Sequence, residues 1–201
     1  MERGLLIVFE GIDGCGKSTQ LRALASRLRG RGPDVIETKE PTDGPMGRRI
    51  REMARSGKAV APEQELEWFM ADRREHVSEE IEPGLAAGAI ILCDRYFLST
   101  VAYQGARGLD ANEIMRASEA EFPLPDLALI FELSADAGIA RVNARGGVGE
   151  PVFEELEFQK RVEKVFASLD RPYIERIDAR PAAVDIEASV LDVVRRSGVD
   201  V

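Results

Sequence analysis

The chain has 201 residues, 44% hydrophobic and 31% charged, which suits a soluble globular protein that needs no disulfide or metal to complete its core. Thirty-six acids against 27 bases leave a net charge of −9, the wrong sign for a surface that coats nucleic acid. The longest apolar runs, LLIVF at 5–9 and AIILC at 89–93, fall far short of the ~20 residues of a membrane span or of a signal peptide's core, and two cysteines, Cys15 and Cys93, frame no metal site, so the expected setting is the cytoplasm, with no membrane partner.

In chain order, Leu5–Phe9 reads as a strand, and residues 17–30 place Leu21, Leu24, Ala25 and Leu28 on one helical stripe. Val35–Thr38 is a second strand, and a helical pattern occupies 63–82. Ala89–Cys93, Leu127–Leu133 and, more weakly, Tyr173–Asp178 complete five strands, with helical patterns at 154–169 and 183–195. Runs apolar on both faces suit parallel strands covered by helices. The alternation predicts an α/β fold, a three-layer sandwich with right-handed crossovers, as one domain over 1–201. There is no internal repeat or low-complexity tract.

The first strand runs directly into Gly11-Ile12-Asp13-Gly14-Cys15-Gly16-Lys17-Ser18-Thr19, which matches Gly, four residues, Gly-Lys-Ser/Thr. Glycines let the backbone curl so that successive N–H groups face phosphate oxygens. Lys17 supplies a point charge to the β- and γ-phosphates of ATP, and the Ser18 hydroxyl can ligate Mg2+. The helix that follows turns its positive end to the same anion. Strand before and helix after are the context this motif requires, and Cys15 reads as a small filler of the loop.

The third run ends in Asp94-Arg95-Tyr96. An acid at the carboxyl end of a parallel strand lies at the mouth of the sheet, where it can hold Mg2+ with Ser18. A regulatory GTPase would carry Asp-x-x-Gly here and Asn-Lys-x-Asp later, and the chain has neither. A guanidinium beside the metal acid instead suits bidentate grip of an acceptor phosphate. The rival class is a nucleotide-binding switch that holds ATP without transferring phosphate.

FEGIDGCGKST at 9–19, KEPTDGPMGRRIRE at 39–52, FMADRREH at 69–76 and DRYFLSTVAYQGARGLD at 94–110 together resemble the thymidylate kinase family of nucleoside monophosphate kinases. The last segment is the most specific, since a phosphate loop alone names only a superfamily. The resemblance implies a P-loop nucleoside monophosphate kinase fold, a homodimer, and a Mg2+-dependent reaction of ATP with dTMP giving ADP and dTDP. It implies that Asp13 approaches the sugar 3′-hydroxyl, that Glu40 is the acid of the acceptor-side loop, that Arg51 helps to hold the acceptor phosphate, and that Phe69 stacks on thymine while Arg73 bonds its carbonyl. It implies that Arg95 holds the acceptor phosphate, that Thr100 and Gln104 read the base edge, and that Ser99 lies nearby with Tyr103 under the deoxyribose. Phe69 and Arg73 are four residues apart, so on a helix they share a face.

The one histidine, His76, reads as one charge among others on a helix rather than as a general base, because phosphoryl transfer needs positioning more than a base. Residues 141–153, rich in glycine between two helical patterns, read as a short lid over ATP. Gly14 stands where some family members carry a phosphate-loop arginine. Arg141 and Arg145 are therefore the lid candidates, Arg141 for ATP binding and Arg145 for the cation near the transferred phosphoryl group.

Overall fold

A computed structural model of the chain describes residues 3–30, 32–144 and 155–199. Leu6, Ile7, Val8 and Phe9 are almost wholly buried because their strand, β1 (Leu5–Glu10), is the middle of a five-stranded sheet. β2 (Val35–Lys39), β3 (Ile90–Asp94), β4 (Leu127–Glu132) and β5 (Ile174–Asp178) complete it, all parallel, in the order β2-β3-β1-β4-β5. All five expected strands are present within one or two residues. The parallel sheet with helices around it is the expected α/β architecture.

Register decides where the chemistry gathers. Leu5 to Phe9 lie opposite Ile90 to Asp94, so β1 and β3 end level with each other. The loop after β1 therefore meets Asp94 at the carboxyl edge of the sheet. β1 is also the strand between β3 and β4, where the chain's direction of winding reverses, and open α/β sheets bind ligands at that point.

The helices are α1 (Lys17–Leu28), α2 (Pro45–Ser56), α3 (Pro62–His76), α4 (Glu82–Ala86), α5 (Phe97–Ala106), α6 (Ala111–Glu121), α7 (Ala135–Ala144), α8 (Leu156–Ser168) and α9 (Ala183–Arg196). α1 packs on α9, and α5 is held by α3, α6 and α8. α1 buries the expected stripe Leu21, Leu24, Ala25 and Leu28.

The helix expected over 63–82 is divided. α3 stops at His76, a π-helical turn spans Val77–Ile81, and α4 follows with Pro83 in its first turn. Apolar spacing does not reveal such a turn, because one extra residue per turn leaves the composition unchanged. α2 has few apolar residues to announce it and buries only Gly47, Ile50, Met53 and Ala54. Its boundaries are Pro45 at the start and Gly57, left-handed with φ 69°, at the end, as first-turn proline and terminal glycine favour. α6 starts at Asp110, whose carboxylate accepts from the N–H groups of Asn112 and Glu113. Among the described residues no helix is long and apolar enough to cross a membrane.

Candidate active site

The phosphate loop curls between β1 and α1. Gly14 and Gly16 have φ of 81° and 100°, a region that L side chains avoid. At Gly14 space is closed as well: a Cβ there would lie 2.2 Å from the carbonyl oxygen of Gly138 on α7. No side chain fits at Gly14 without moving α7, so the loop cannot present an arginine from this position. The Lys17 ammonium sits inside the loop, donating to the carbonyls of Gly11 at 3.0 Å and Ile12 at 2.9 Å. An ammonium has three protons; the third faces only the weak acceptor Cys15 Sγ and can turn to a phosphate oxygen. Cys15 is buried beneath the loop, its Sγ 3.7 Å from Lys17 Nζ.

Ser18 Oγ donates to Asp94 Oδ2, which joins the start of α1 to the end of β3. Hydroxyl and carboxylate are both hard oxygen donors, the kind Mg2+ prefers, and Mg2+ characteristically takes one or two protein ligands and fills its shell with phosphate and water. Among the described residues no group of three or more His, Cys, Asp or Glu side chains could hold a metal, so the pair fits Mg2+ held with a nucleotide rather than a metal caged by protein.

Arg95 follows Asp94 and has φ 72°, the left-handed region at a non-glycine position. Its N–H continues the sheet by donating to Phe9 O at 2.9 Å. The side chain turns back over the phosphate loop: Nη2 donates to Asp13 Oδ1 at 2.6 Å and Tyr103 Oη at 3.2 Å, and Nη1 to Ser99 Oγ at 3.0 Å. Strain of this kind persists only where surrounding contacts over-determine it. Here the ladder bond and the guanidinium contacts do so.

Beside the loop is a cavity of about 370 Å³, within the range of nucleotide-sized pockets. Phe69 and Arg73 of α3 wall it on one side, and Arg95, Ser99, Thr100 and Tyr103 on the other. Asp13 and Gly14 close it toward the phosphate loop, and Glu40 and Arg51 border it as well. The carbonyls of Pro41 and Thr42 accept from Arg51 Nη1. Residues 13–14, 39–54, 69–73 and 95–103 thus meet around one space, whose walls include aromatic rings, guanidinium groups and two carboxylates. The thymidylate kinase family model matches residues 9–192. The thymidylate kinase of Desulfotalea psychrophila is 44% identical over 193 residues, covering 96% of this chain and 95% of that protein. That of Xanthomonas euvesicatoria is 45% identical over 176 residues, covering 88% and 76%. The chain belongs to the thymidylate kinase family.

Several residues of this family member are placed differently from a direct reading of the chain. Gln104 is fully buried and donates to Glu65 Oε1 at 2.7 Å; it does not line the cavity. Arg107 also binds Glu65, so Glu65, Gln104 and Arg107 clip α3 to α5 behind the pocket. Arg141 donates to the carbonyls of Ala179 and Arg180, 2.8 and 3.2 Å away, at the end of β5. The other lid candidate, Arg145, and the rest of the lid to 153 lie outside the described residues.

His76 is not one charge among others on an open helix face. It is buried, with Glu40, Thr38 and Glu80 around its ring. Asp72, one turn earlier, accepts from the N–H and hydroxyl of Thr42 at 2.9 and 2.6 Å. Charged letters in FMADRREH gave no sign that three of them face inward.

Glu10 is a further residue the sequence reading passed over. It ends β1 fully buried and accepts from Tyr96 N at 2.9 Å and from the Ser99 hydroxyl. An acid closing an otherwise apolar strand was the available signal. Burial pushes its pKa up from 4.5 to about 7, against the lowering effect of Ser99, Arg95, Tyr96 and Arg73. Across that window the folded chain keeps a proton that the unfolded chain has released, so stability falls as pH rises, by about 3 kcal/mol in all. Glu10→Gln cannot ionise; its oxygen keeps the bond from Tyr96 N and its amide donates to Ser99 Oγ in place of accepting from it, as a protonated carboxyl does, so it should remove this loss. Urea unfolding of both proteins at about pH 5 and about pH 8 checks it; identical pH slopes would rule the assignment out.

Proposed function

We propose that this cleft carries out the thymidylate kinase reaction, transfer of the γ-phosphoryl group of ATP to dTMP to give dTDP and ADP, in the supply of dTTP. The observation that carries it is Arg95, bent back over the phosphate loop at the junction of that loop with the ring-and-guanidinium cavity. A site that only held ATP would need no second pocket of base size.

On this reading ATP lies along the loop at Gly11 to Thr19, and dTMP fills the cavity. Phe69 stacks on the base. Arg73 faces its edge: Nε and Nη2 are engaged, and Nη1 is buried without a hydrogen-bond partner. A buried charged donor left unpaired is costly, and a base carbonyl relieves it. Thr100 helps to read the base from beside Arg73, Asp13 receives the sugar 3′-hydroxyl, and Tyr103 underlies the deoxyribose. Arg95, with Ser99 supporting it and Arg51 of α2 opposite, grips the acceptor phosphate. Gln104 acts on the base edge through Glu65 and α3.

The acceptor phosphate is already anionic, so no general base is required. Orientation of two bound nucleotides supplies ~7–11 kcal/mol of the barrier. Ser18 and Asp94 would hold Mg2+, which when bound neutralises charge on the β- and γ-phosphates. Lys17 meets the same charge from inside the loop. Since Gly14 admits no side chain, the remaining cation comes from outside the phosphate loop, and Arg145 is the candidate for it. Arg141 braces the lid helix at the end of β5 on the ATP side. The protein works in the cytoplasm as a homodimer, a reading supported by its resemblance to the family.

A coupled ADP-release assay with ATP and a panel of nucleoside monophosphates tests the assignment. dTMP should be preferred over dUMP by ~1–3 kcal/mol, the worth of one methyl in an apolar pocket. Purine monophosphates should react poorly. Equal rates with dAMP or dGMP would remove dTMP as the substrate and leave only the kinase class.

A further inference from the structure

His76 is the only histidine in the chain, and the reaction as read above gives it no task. Its ring is buried behind Arg73, with 1% of the side chain exposed. Nδ1 lies 2.9 Å from Glu40 Oε1, and Nε2 lies 2.8 Å from Thr38 Oγ1. Thr38 Oγ1 is also 2.7 Å from Glu80 Oε2.

Proton counting sets the direction of each bond. A hydroxyl has one proton to give, and an ionised carboxylate only accepts. Thr38 therefore donates to Glu80 and accepts from Nε2, while Nδ1 donates to Glu40. Both ring nitrogens carry protons, so the ring is an imidazolium. Burial opposes that charge, but three carboxylates outweigh it: Glu40 from the loop after β2, Glu80 from the π-helical turn, and Asp72 one turn back on α3. Together they raise the pKa above the ordinary histidine value despite that burial. Arg73, the remaining charge nearby, lies on the other side of Glu40.

Glu40 divides its two oxygens between the two cations. Oε1 takes His76, and Oε2 takes Arg73 through Nε at 2.9 Å and Nη2 at 2.6 Å. Thr100 accepts from the same Nη2 at 2.8 Å. We infer that His76 is a positioning residue for the acceptor pocket: as an imidazolium it pins one oxygen of Glu40, so that the other holds Arg73 with Nη1 left for the nucleotide. A neutral ring has one N–H. With it on Nδ1 the bond to Glu40 survives without its charge, and Thr38 must turn its proton from Glu80 to Nε2; with it on Nε2 the bond to Glu40 is lost. Either way Glu40 loses the cation that pins its first oxygen, and Arg73 loses its alignment. Acceptor affinity should therefore be complete below the pKa of His76 and fall as pH rises through it, while ATP, on the other side of the phosphate loop, is unaffected. The inference rests on Arg73 facing dTMP.

A single histidine gives one Hε1 and one Hδ2 ring resonance with no other histidine to confuse them, so proton NMR of the wild-type chain reads its pKa directly. A value above about 6.5 is expected, lower in Glu80→Ala, where Thr38 is released to donate to the ring. The Michaelis constant for dTMP should rise about fivefold or more across that titration in the wild type. In His76→Gln it should be raised to a similar degree at all pH values, apart from the titration of the dTMP phosphate itself, which both proteins share. Turnover and the Michaelis constant for ATP should stay within about threefold of wild type in that variant. A folded His76→Gln with wild-type dTMP kinetics, or a wild-type pKa of about 6.5 or lower, overturns the inference; if that variant does not fold, the NMR titrations of wild type and Glu80→Ala decide it. Arg73→Ala separates the two readings. If Arg73→Ala leaves the dTMP constant unchanged, the pocket assignment itself fails. If Arg73→Ala raises it and His76→Gln does not, only the role of His76 fails.

Discussion

Lys17→Ala should lower turnover at least about 100-fold, the scale of loss when a group aimed at developing charge is removed. The ammonium is nearly buried inside the phosphate loop and spends two of its protons on the carbonyls of Gly11 and Ile12. What it offers substrate is one directed proton and a full charge, held in place before ATP arrives. Alanine removes both and leaves two carbonyls that water can reach through the emptied loop. The fold should survive, because the loop's shape rests on its glycines and on β1 and α1 at either side. The coupled assay gives the loss, and far-ultraviolet circular dichroism checks the fold. Activity within about threefold of wild type, with an unchanged spectrum, would be incompatible with this role.

Arg95 should show the second large effect, divided between two properties. Arg95→Ala removes a charge-assisted contact worth about 1.5–3 kcal/mol. The Michaelis constant for dTMP should therefore rise roughly 10- to 150-fold, with slower turnover, because the acceptor phosphate loses its alignment. ATP affinity measured by calorimetry should change little. Equal losses for ATP and dTMP would refute the division of labour. Stability separates a second pair of variants. With φ at 72°, any residue but glycine carries about 1–2 kcal/mol of strain here. Arg95→Gly should therefore be more stable than Arg95→Ala while equally poor in binding dTMP. If alanine proved the more stable of the two by urea unfolding, the strained backbone at this position would be refuted.

Much of the candidate site is legible in the sequence. The phosphate loop, Asp94 and Arg95 are local signals: each is set by a strand ending, a turn that needs glycine, or a helix beginning, all within a few residues. Phe69 and Arg73 could be placed on one helical face by counting. The strands at 5–9 and 89–93 were readable because a buried parallel strand is apolar on both faces. α2 and the π-helical turn were not, the first because it buries little, the second because it changes phase without changing composition.

What the chain alone determined is thus the architecture, the phosphate loop with Asp94 at the strand end beside it, and the family. The tertiary structure decided which charges are buried and with whom. Arg73 meets Glu40 across 33 residues, Arg95 meets Asp13 across 82, and Glu10 meets Ser99 across 89. In sequence, Asp72 and His76 look like ordinary solvated charges, and nothing pairs Glu40 with either Arg73 or His76. Only when β2 pairs with β3 and α3 packs on α5 does the desolvation of each charge have to be met by another. The reason is the range of the forces involved: turn geometry and helical periodicity act between near neighbours, whereas a buried charge is settled by whatever partner the fold brings to it.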